Sequence, residues 1–194
     1  MKTTQELKKV LLEIARKAIL EKLTGNKLID KSFYLQKYPE LARKQAVFVT
    51  LNKEDGSTGR KSLRGCIGSL LPVHPLIDDV IHNAQAAAFS DPRFEPLAPE
   101  EFNNIRIEIS LLSIPEKVNY IDADDLQNKI IPGKHGVILQ LAGRRATFLP
   151  QVWKQLPDFD LFFAHLCQKA GLPADCLNYH PEIERYEVEE FEEE

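Results

Sequence analysis

The 194-residue chain is short of most features that mark a specialised class. Its apolar runs fall far below the ~20 residues a membrane span needs. Three cysteines, Cys66, Cys167 and Cys176, stand far apart and form no C-x-x-C pair. That argues against a disulfide framework and for a reducing, cytoplasmic setting. The start, MKTTQELKK, carries charge inside its apolar stretch and does not read as a signal peptide. Also missing are G-x-G-x-x-G, G-x-x-x-x-G-K-[ST] and G-x-S-x-G, so no dinucleotide site, phosphate loop or hydrolase elbow is indicated. The five histidines are scattered. His74 and His82, eight apart, are too far along one helix to share a metal, so no metal site is expected and no cofactor is indicated.

Charge of one sign is also scarce, except at one end. Residues 182–194 hold eight glutamates and one arginine, a net −7, whereas the rest carries 24 basic and 21 acidic residues, a net +3. No basic block exists for a nucleic-acid face, so nucleic-acid binding is disfavoured, although a small basic pocket remains open. The end reads as an acidic tail.

What is present is an ordinary globular pattern, 43% hydrophobic and 28% charged. Leu7, Val10, Leu11, Ile14, Ala18 and Ile19 predict a helix over 4–23, with Thr3 and Glu6 as a capping box and Gly25 as the stop. Strands are expected at 46–51 and 63–70, around the polar turn NKEDGSTGR, and at 105–112. A second helix spans 74–90 and ends before Pro92. A hairpin is expected from 137–142 to 145–149 across Gly143-Arg144, then a helix over 158–170 and a last strand at Tyr186 and Val188. Frequent hairpins and interspersed helices predict an α+β fold, with a largely antiparallel sheet flanked by helices.

Several stretches could carry chemistry. In Leu63-Arg64-Gly65-Cys66-Ile67-Gly68, glycine inside a strand marks a bulge or a close backbone approach. Arg64, two residues from Cys66, shares its face in a regular strand, and a neighbouring cation favours the thiolate. Cys66 is therefore a candidate nucleophile or redox thiol; the alternative is a small packed hydrophobe. Asp91 and Arg93 could hold an anion or stiffen a turn as a local pair. Glu108 shares a strand face with Arg106 and Ser110, a general base or metal ligand if that face lines a cleft and a solvated residue otherwise. His135, between Lys134 and Gly136, is a candidate base for Cys66 or a packed loop residue. Arg144 with Arg145 is an anion-binding candidate or ordinary turn charge.

FVTL at 48–51, LRGCIG at 63–68, DPRF at 91–94, EISLLS at 108–113, GKHGVIL at 133–139, TFLPQV at 147–152 and LCQKAGL at 166–172 together resemble the AMMECR domain family, which supplies protein A of the AmmeMemoRadiSam system. The resemblance covers about residues 5–175 of a single domain over 1–194, with 182–194 as the acidic tail. It implies an α+β fold of two lobes, with LRGCIG beside a cleft between them. It implies no activity. The family's genes accompany a Memo-type protein and a radical SAM protein, which makes these candidate partners in a shared pathway. Two functional expectations follow. One is a thiol-dependent enzyme or enzyme component, with Cys66, His135 and Glu108 catalytic and with Arg64, Gly65, Gly68, Asp91, Arg93 and Arg144 binding a small anionic substrate. The other is a binding module for a Memo-like partner, steered by the acidic tail; RNA or nucleotide binding is a weak third.

Overall fold

A computed structural model describes residues 3–54 and 61–193. Most of the turn NKEDGSTGR lies outside the described residues. The chain divides into two compact units. The first runs through Leu112 and takes the chain back from Glu189; the second is Ser113–Val188.

In the first unit, helix α1 (Gln5–Thr24) presents Leu11, Ile14, Ala15, Ala18 and Ile19 to the core at helical spacing. Its cap is Thr4, one residue beyond the expected capping box: the Thr4 hydroxyl accepts the Leu7 N–H at 3.2 Å. Glu6 instead accepts the Tyr38 hydroxyl at 2.9 Å. Gly25 ends the helix at φ +73°, where only a residue without Cβ is unstrained. A short helix α2 (Lys31–Lys37), capped by Asp30, follows. Strand β1 (Val47–Glu54) pairs antiparallel with β2 (Lys61–Gly68) and with β3 (Ile105–Leu112), and helix α3 (Leu76–Phe89) lies between β2 and β3 in sequence. With the final strand β8 (Val188–Glu192) the sheet order is β2-β1-β3-β8.

Register decides the two faces of this sheet. Val47, Val49 and Leu51 stand opposite Leu111, Ile109 and Ile107 and form one core with the apolar stripes of α1 and α3. The intervening Phe48, Thr50 and Asn52 point to the other face, because side chains alternate along a strand.

The expected α+β fold is built on two antiparallel sheets, because the second unit holds a separate four-stranded one. Its order is β4 (Glu116–Val118), β7 (Glu182–Tyr186), β5 (Gly136–Leu141), β6 (Arg144–Phe148). The β5–β6 turn is centred on Ala142 and Gly143, at φ +51° and +76°, one residue earlier than expected. Helices α4 (Ala123–Lys129) and α5 (Phe159–Lys169) complete the unit, whose core contains Trp153, Phe159, Phe162, Phe163 and Leu166.

Two expectations are corrected here. Cys167 and Cys176 form a disulfide, with Cα atoms 5.9 Å apart. Gly171, at φ +72°, reverses the chain after α5 and brings the 3-10 turn Cys176–Tyr179 back to it, so both sulfurs lie in the same core. Nor are residues 182–194 a free tail. They contain β7 and β8, and six of their glutamates meet cations: Glu182 with Lys117, Glu184 with Arg145, Glu187 with Lys134, Glu189 with Lys8, Glu192 with Lys61 and Glu193 with Arg16. No helix among the described residues is long and apolar enough to cross a membrane.

Candidate functional site

β2 is an outer strand, and the residues around Cys66 are shaped by its two neighbours. Gly65 faces α3, where a Cβ would run into the Ala87 carbonyl oxygen. Gly68 stands opposite Phe48, whose ring fills the place a Cβ would take. Both glycines are thus packing requirements of the hairpin, and neither is shown to bind a ligand. Between them Cys66 is the free cysteine, half-buried on the sheet face away from α1 and α3.

An outer strand normally leaves backbone groups unpaired. At Cys66 they are paired by side chains. The Cys66 N–H donates to Asp91 Oδ2 at 2.8 Å, and Arg93 Nη2 donates to the Cys66 carbonyl at 3.3 Å. Asp91 and Arg93 are themselves joined by two bonds, Nε to Oδ1 at 2.9 Å and Nη2 to Oδ2 at 2.7 Å. The DPRF turn is therefore both the local pair and a clamp on Cys66. The Arg93 guanidinium first, then the Cys66 and Arg93 N–H groups, hold the buried Asp91 carboxyl well below the usual range.

Arg64 is not the cation beside the thiol. Leu51 pairs with Gly65 but Asn52 with Leu63, so Arg64 is the extra residue of a bulge, which breaks the two-residue alternation assumed for it. Its guanidinium makes a fork on Glu101, with Nε–Oε1 3.0 Å and Nη2–Oε2 2.9 Å, and also donates to the Glu95 carbonyl at 3.0 Å. That fork holds the Glu101 carboxyl down to about 2. The remaining nitrogen, Nη1, is buried without a hydrogen bond, and the group lies 5.9 Å from the Phe94 ring centre. Arg64 is a structural residue of the loop it ties down.

Across β2, β1 and β3 the register sets Cys66, Thr50 and Glu108 in one row. The Thr50 hydroxyl donates to Cys66 Sγ at 3.2 Å. Glu108 is two strands from Cys66, about 9–10 Å between backbones. Its side chain has one hydrogen-bond partner among the described residues, the Asn52 amide at 3.5 Å, and no cation within ion-pair distance. Burial first, then the charges of Glu190 and Glu192, raise its pKa, and Lys61 opposes them only in part.

His135 and Arg144 belong to the second unit, and each has partners there. The His135 ring is buried; Nδ1 accepts the Ile131 N–H at 3.0 Å, and its carbonyl accepts the Trp153 indole N–H at 2.9 Å. Burial, then the Arg185 charge, lowers its pKa, which keeps the ring neutral. Arg144 donates to the Gly171 carbonyl. Among the described residues no group of three or more His, Cys, Asp or Glu side chains is placed to hold a metal.

Sequence reasoning missed Thr50, Asn52 and Glu101. Their roles follow from cross-strand register, which depends on the hairpin turn and the Arg64 bulge. A threonine in FVTL gives no sign of which residue it will face.

The model of the AMMECR1 family matches residues 12–191, into the glutamate-rich end. A Methanopyrus kandleri protein, MK0488, is 38% identical over all of this chain and 91% of its own length. The Pyrococcus furiosus protein PF1979 is 39% identical over 95% of this chain and 87% of its own. Among solved structures, the uncharacterized protein PH0010 from Pyrococcus horikoshii is similar with a TM-score of 0.78 and 37% identity, covering all of this chain and 95% of its own. With the family model matching nearly the whole chain, the protein belongs to the AMMECR1 family.

Proposed function

We propose that the chain is a thiol-dependent enzyme, or the thiol-bearing component of one, with Cys66 as nucleophile. One observation carries this reading: the Cys66 sulfur accepts the Thr50 hydroxyl while both its backbone groups are fixed by Asp91 and Arg93. A hydrogen bond to sulfur strengthens when sulfur becomes charged, so Thr50 favours the thiolate over the thiol. The clamp removes the freedom of an outer strand and holds Sγ in one place, which lowers the cost of reaching a reactive geometry. Sγ would bond to an electrophilic carbon while the leaving group departs with a proton from Glu108. Water, losing a proton back to Glu108, would then release the product and the thiolate. Glu108 suits this exchange because its raised proton affinity lets it hold and give a proton closer to neutrality than an ordinary carboxylate. His135 is not needed, since Glu108 shares the row with the thiol. The pathway with Memo-type and radical SAM proteins that the family resemblance implies belongs to the same proposal as the setting in which the substrate arises.

Alkylation by iodoacetamide at pH 7, read at Cys66 by peptide mapping, tests this. Native Cys66 is expected to react faster than Cys66 in the urea-unfolded chain, and Thr50→Val to slow the native reaction several-fold without loss of the fold. A native Cys66 slower than the unfolded one would make it a packing residue and end the reading.

A further inference from the structure

Between β2 and α3, residues 69–75 expose aliphatic side chains on a backbone that is held at both ends. Leu70 is 37% exposed, Leu71 38% and Val73 53%, whereas exposed aliphatics such as Ile121 and Leu161 stand singly in the chain. A single exposed aliphatic is ordinary, but a contiguous group marks a contact surface. Ser69 anchors one end. Its N–H donates to the Val47 carbonyl at 3.0 Å, and its hydroxyl donates to Asp79 Oδ1 at 2.6 Å and accepts an Asn83 amide N–H at 3.1 Å. Asp79 and Asn83 are both buried. At the other end the Leu76 N–H donates to the Arg43 carbonyl at 2.8 Å, and Pro75 bridges to Lys44. In between, the Val73 N–H turns back onto the Leu71 carbonyl at 2.9 Å, and the rings of Pro72 and Pro75 fix two φ angles. The segment has little freedom to fold its aliphatics inward.

The same backbone contacts set the charge beside this patch. Arg43 and Lys44 are exposed, and neither has a carboxylate, Glu40 included, within ion-pair distance among the described residues. Asp78 is paired with Lys31, and Asp79 turns inward to Ser69 and the Val47 N–H. The patch is therefore aliphatic at its centre and cationic on the side of Arg43 and Lys44.

We propose that Leu70, Leu71 and Val73, with Arg43 and Lys44, form a docking surface for a partner protein whose own surface is apolar at its centre and edged by carboxylates. The proposal does not depend on Cys66. The aliphatics supply the water-excluding centre of the contact, and the two cations supply the rim that selects the partner's charge. A lipid surface fits less well. The chain carries a net charge of −4, which an anionic bilayer repels, and residues 69–75 contain no tryptophan, tyrosine or phenylalanine to seat at its interface.

The test titrates the full nitrogen-15-labelled chain, at low salt, with three short acetylated peptides in which a leucine pair is flanked by aspartates, by glutamines or by lysines. The aspartate peptide is expected to shift the amide signals of Leu70, Leu71, Val73, Arg43 and Lys44 and to bind roughly fivefold tighter than the glutamine peptide, as two exposed charge pairs would produce. The lysine peptide is expected to bind weakest, and added salt should shrink the differences. Arg43→Glu combined with Lys44→Glu changes only exposed side chains and is expected to invert the order, so that the lysine peptide binds tightest. Leu71→Ser combined with Val73→Ser should weaken all three. Peptide shifts that miss these residues, equal binding of the three peptides, or an order unchanged by the charge reversal overturns the proposal. Two further results also overturn it by naming another occupant. Binding to phosphatidylserine-containing vesicles that Leu71→Ser with Val73→Ser abolishes would make it a bilayer, and a dimer that the same variant dissociates would make it a second copy of this chain.

Discussion

The first unit packs aliphatic side chains such as Leu11, Ile14, Val49 and Ile107 between one sheet and the helices α1 and α3, and leaves the other sheet face polar. The second packs rings: Trp153 lies flat on Phe162 at 3.6 Å, and Phe148 and Phe163 meet Phe162 edge-on. The polar groups of the second unit follow that economy of space. The Thr147 and Tyr186 hydroxyls bond each other, His135 bonds Ile131, and the two cysteines are joined. In the first unit the row Cys66–Thr50–Glu108 includes a thiol that is free and a carboxylate with no cation at ion-pair distance among the described residues. Groups that a fold does not satisfy are the better guide to chemistry than residue type alone. His135 is a natural base by type, yet its ring is buried with Nδ1 taken by the Ile131 N–H.

The largest effect should come from breaking the ring core. Phe162→Ala is expected to cost about 3–5 kcal/mol, read by urea denaturation; a cost below about 1 kcal/mol would mean that the rings of the second unit do not carry its stability. Next is the staple beside them. Cys176→Ser should cost about 2–3 kcal/mol, the value for closing a loop of this length, and a thiol-reducing agent should reproduce the loss in the unaltered chain.

The smaller effects contrast two carboxylates of the first unit. Asp91 has a lowered pKa in the folded chain, so its ionised form stabilises the fold above the ordinary carboxylate range, and that contribution fades as the pH falls. Asp91→Asn is therefore expected to lower stability by roughly 1–3 kcal/mol at pH 7, with the difference shrinking on acidification. Glu108 has a raised pKa, so its ionisation opposes folding and stability is lost as the pH rises through its folded value. Glu108→Gln should raise Tm slightly at pH 7, with the gain vanishing in acid. Equal signs for the two substitutions would remove the distinction between a carboxylate that holds the fold and one that the fold tolerates.

Much of the architecture was legible in the sequence because it follows from periodicity. The stripe of α1, the alternation of Ile105, Ile107 and Ile109, and Gly25 at its helix end all point to their observed places. Short elements were not legible: α2 and α4 span seven residues each, too few to show a stripe. Which strands share a sheet could not be read from periodicity, because pairing between distant strands leaves no local trace. At the site, Cys66, Asp91 and Arg93 were each singled out but in separate stretches, and only the fold brings them together; Arg64, read as the cation beside the thiol, lies on Glu101 because it is the extra residue of a bulge. Cys167 and Cys176 were read apart because the turn at Gly171 and Pro173 that joins them is tertiary in its effect.

The most direct test of where the chemistry lies is a short treatment of the native, non-reduced chain with iodoacetamide, followed by intact mass and peptide mapping. One adduct, at Cys66, with Cys167 and Cys176 recovered as a linked pair, is the predicted result. Adducts at Cys167 or Cys176, or an unmodified Cys66 under conditions that label the unfolded chain, would contradict the account.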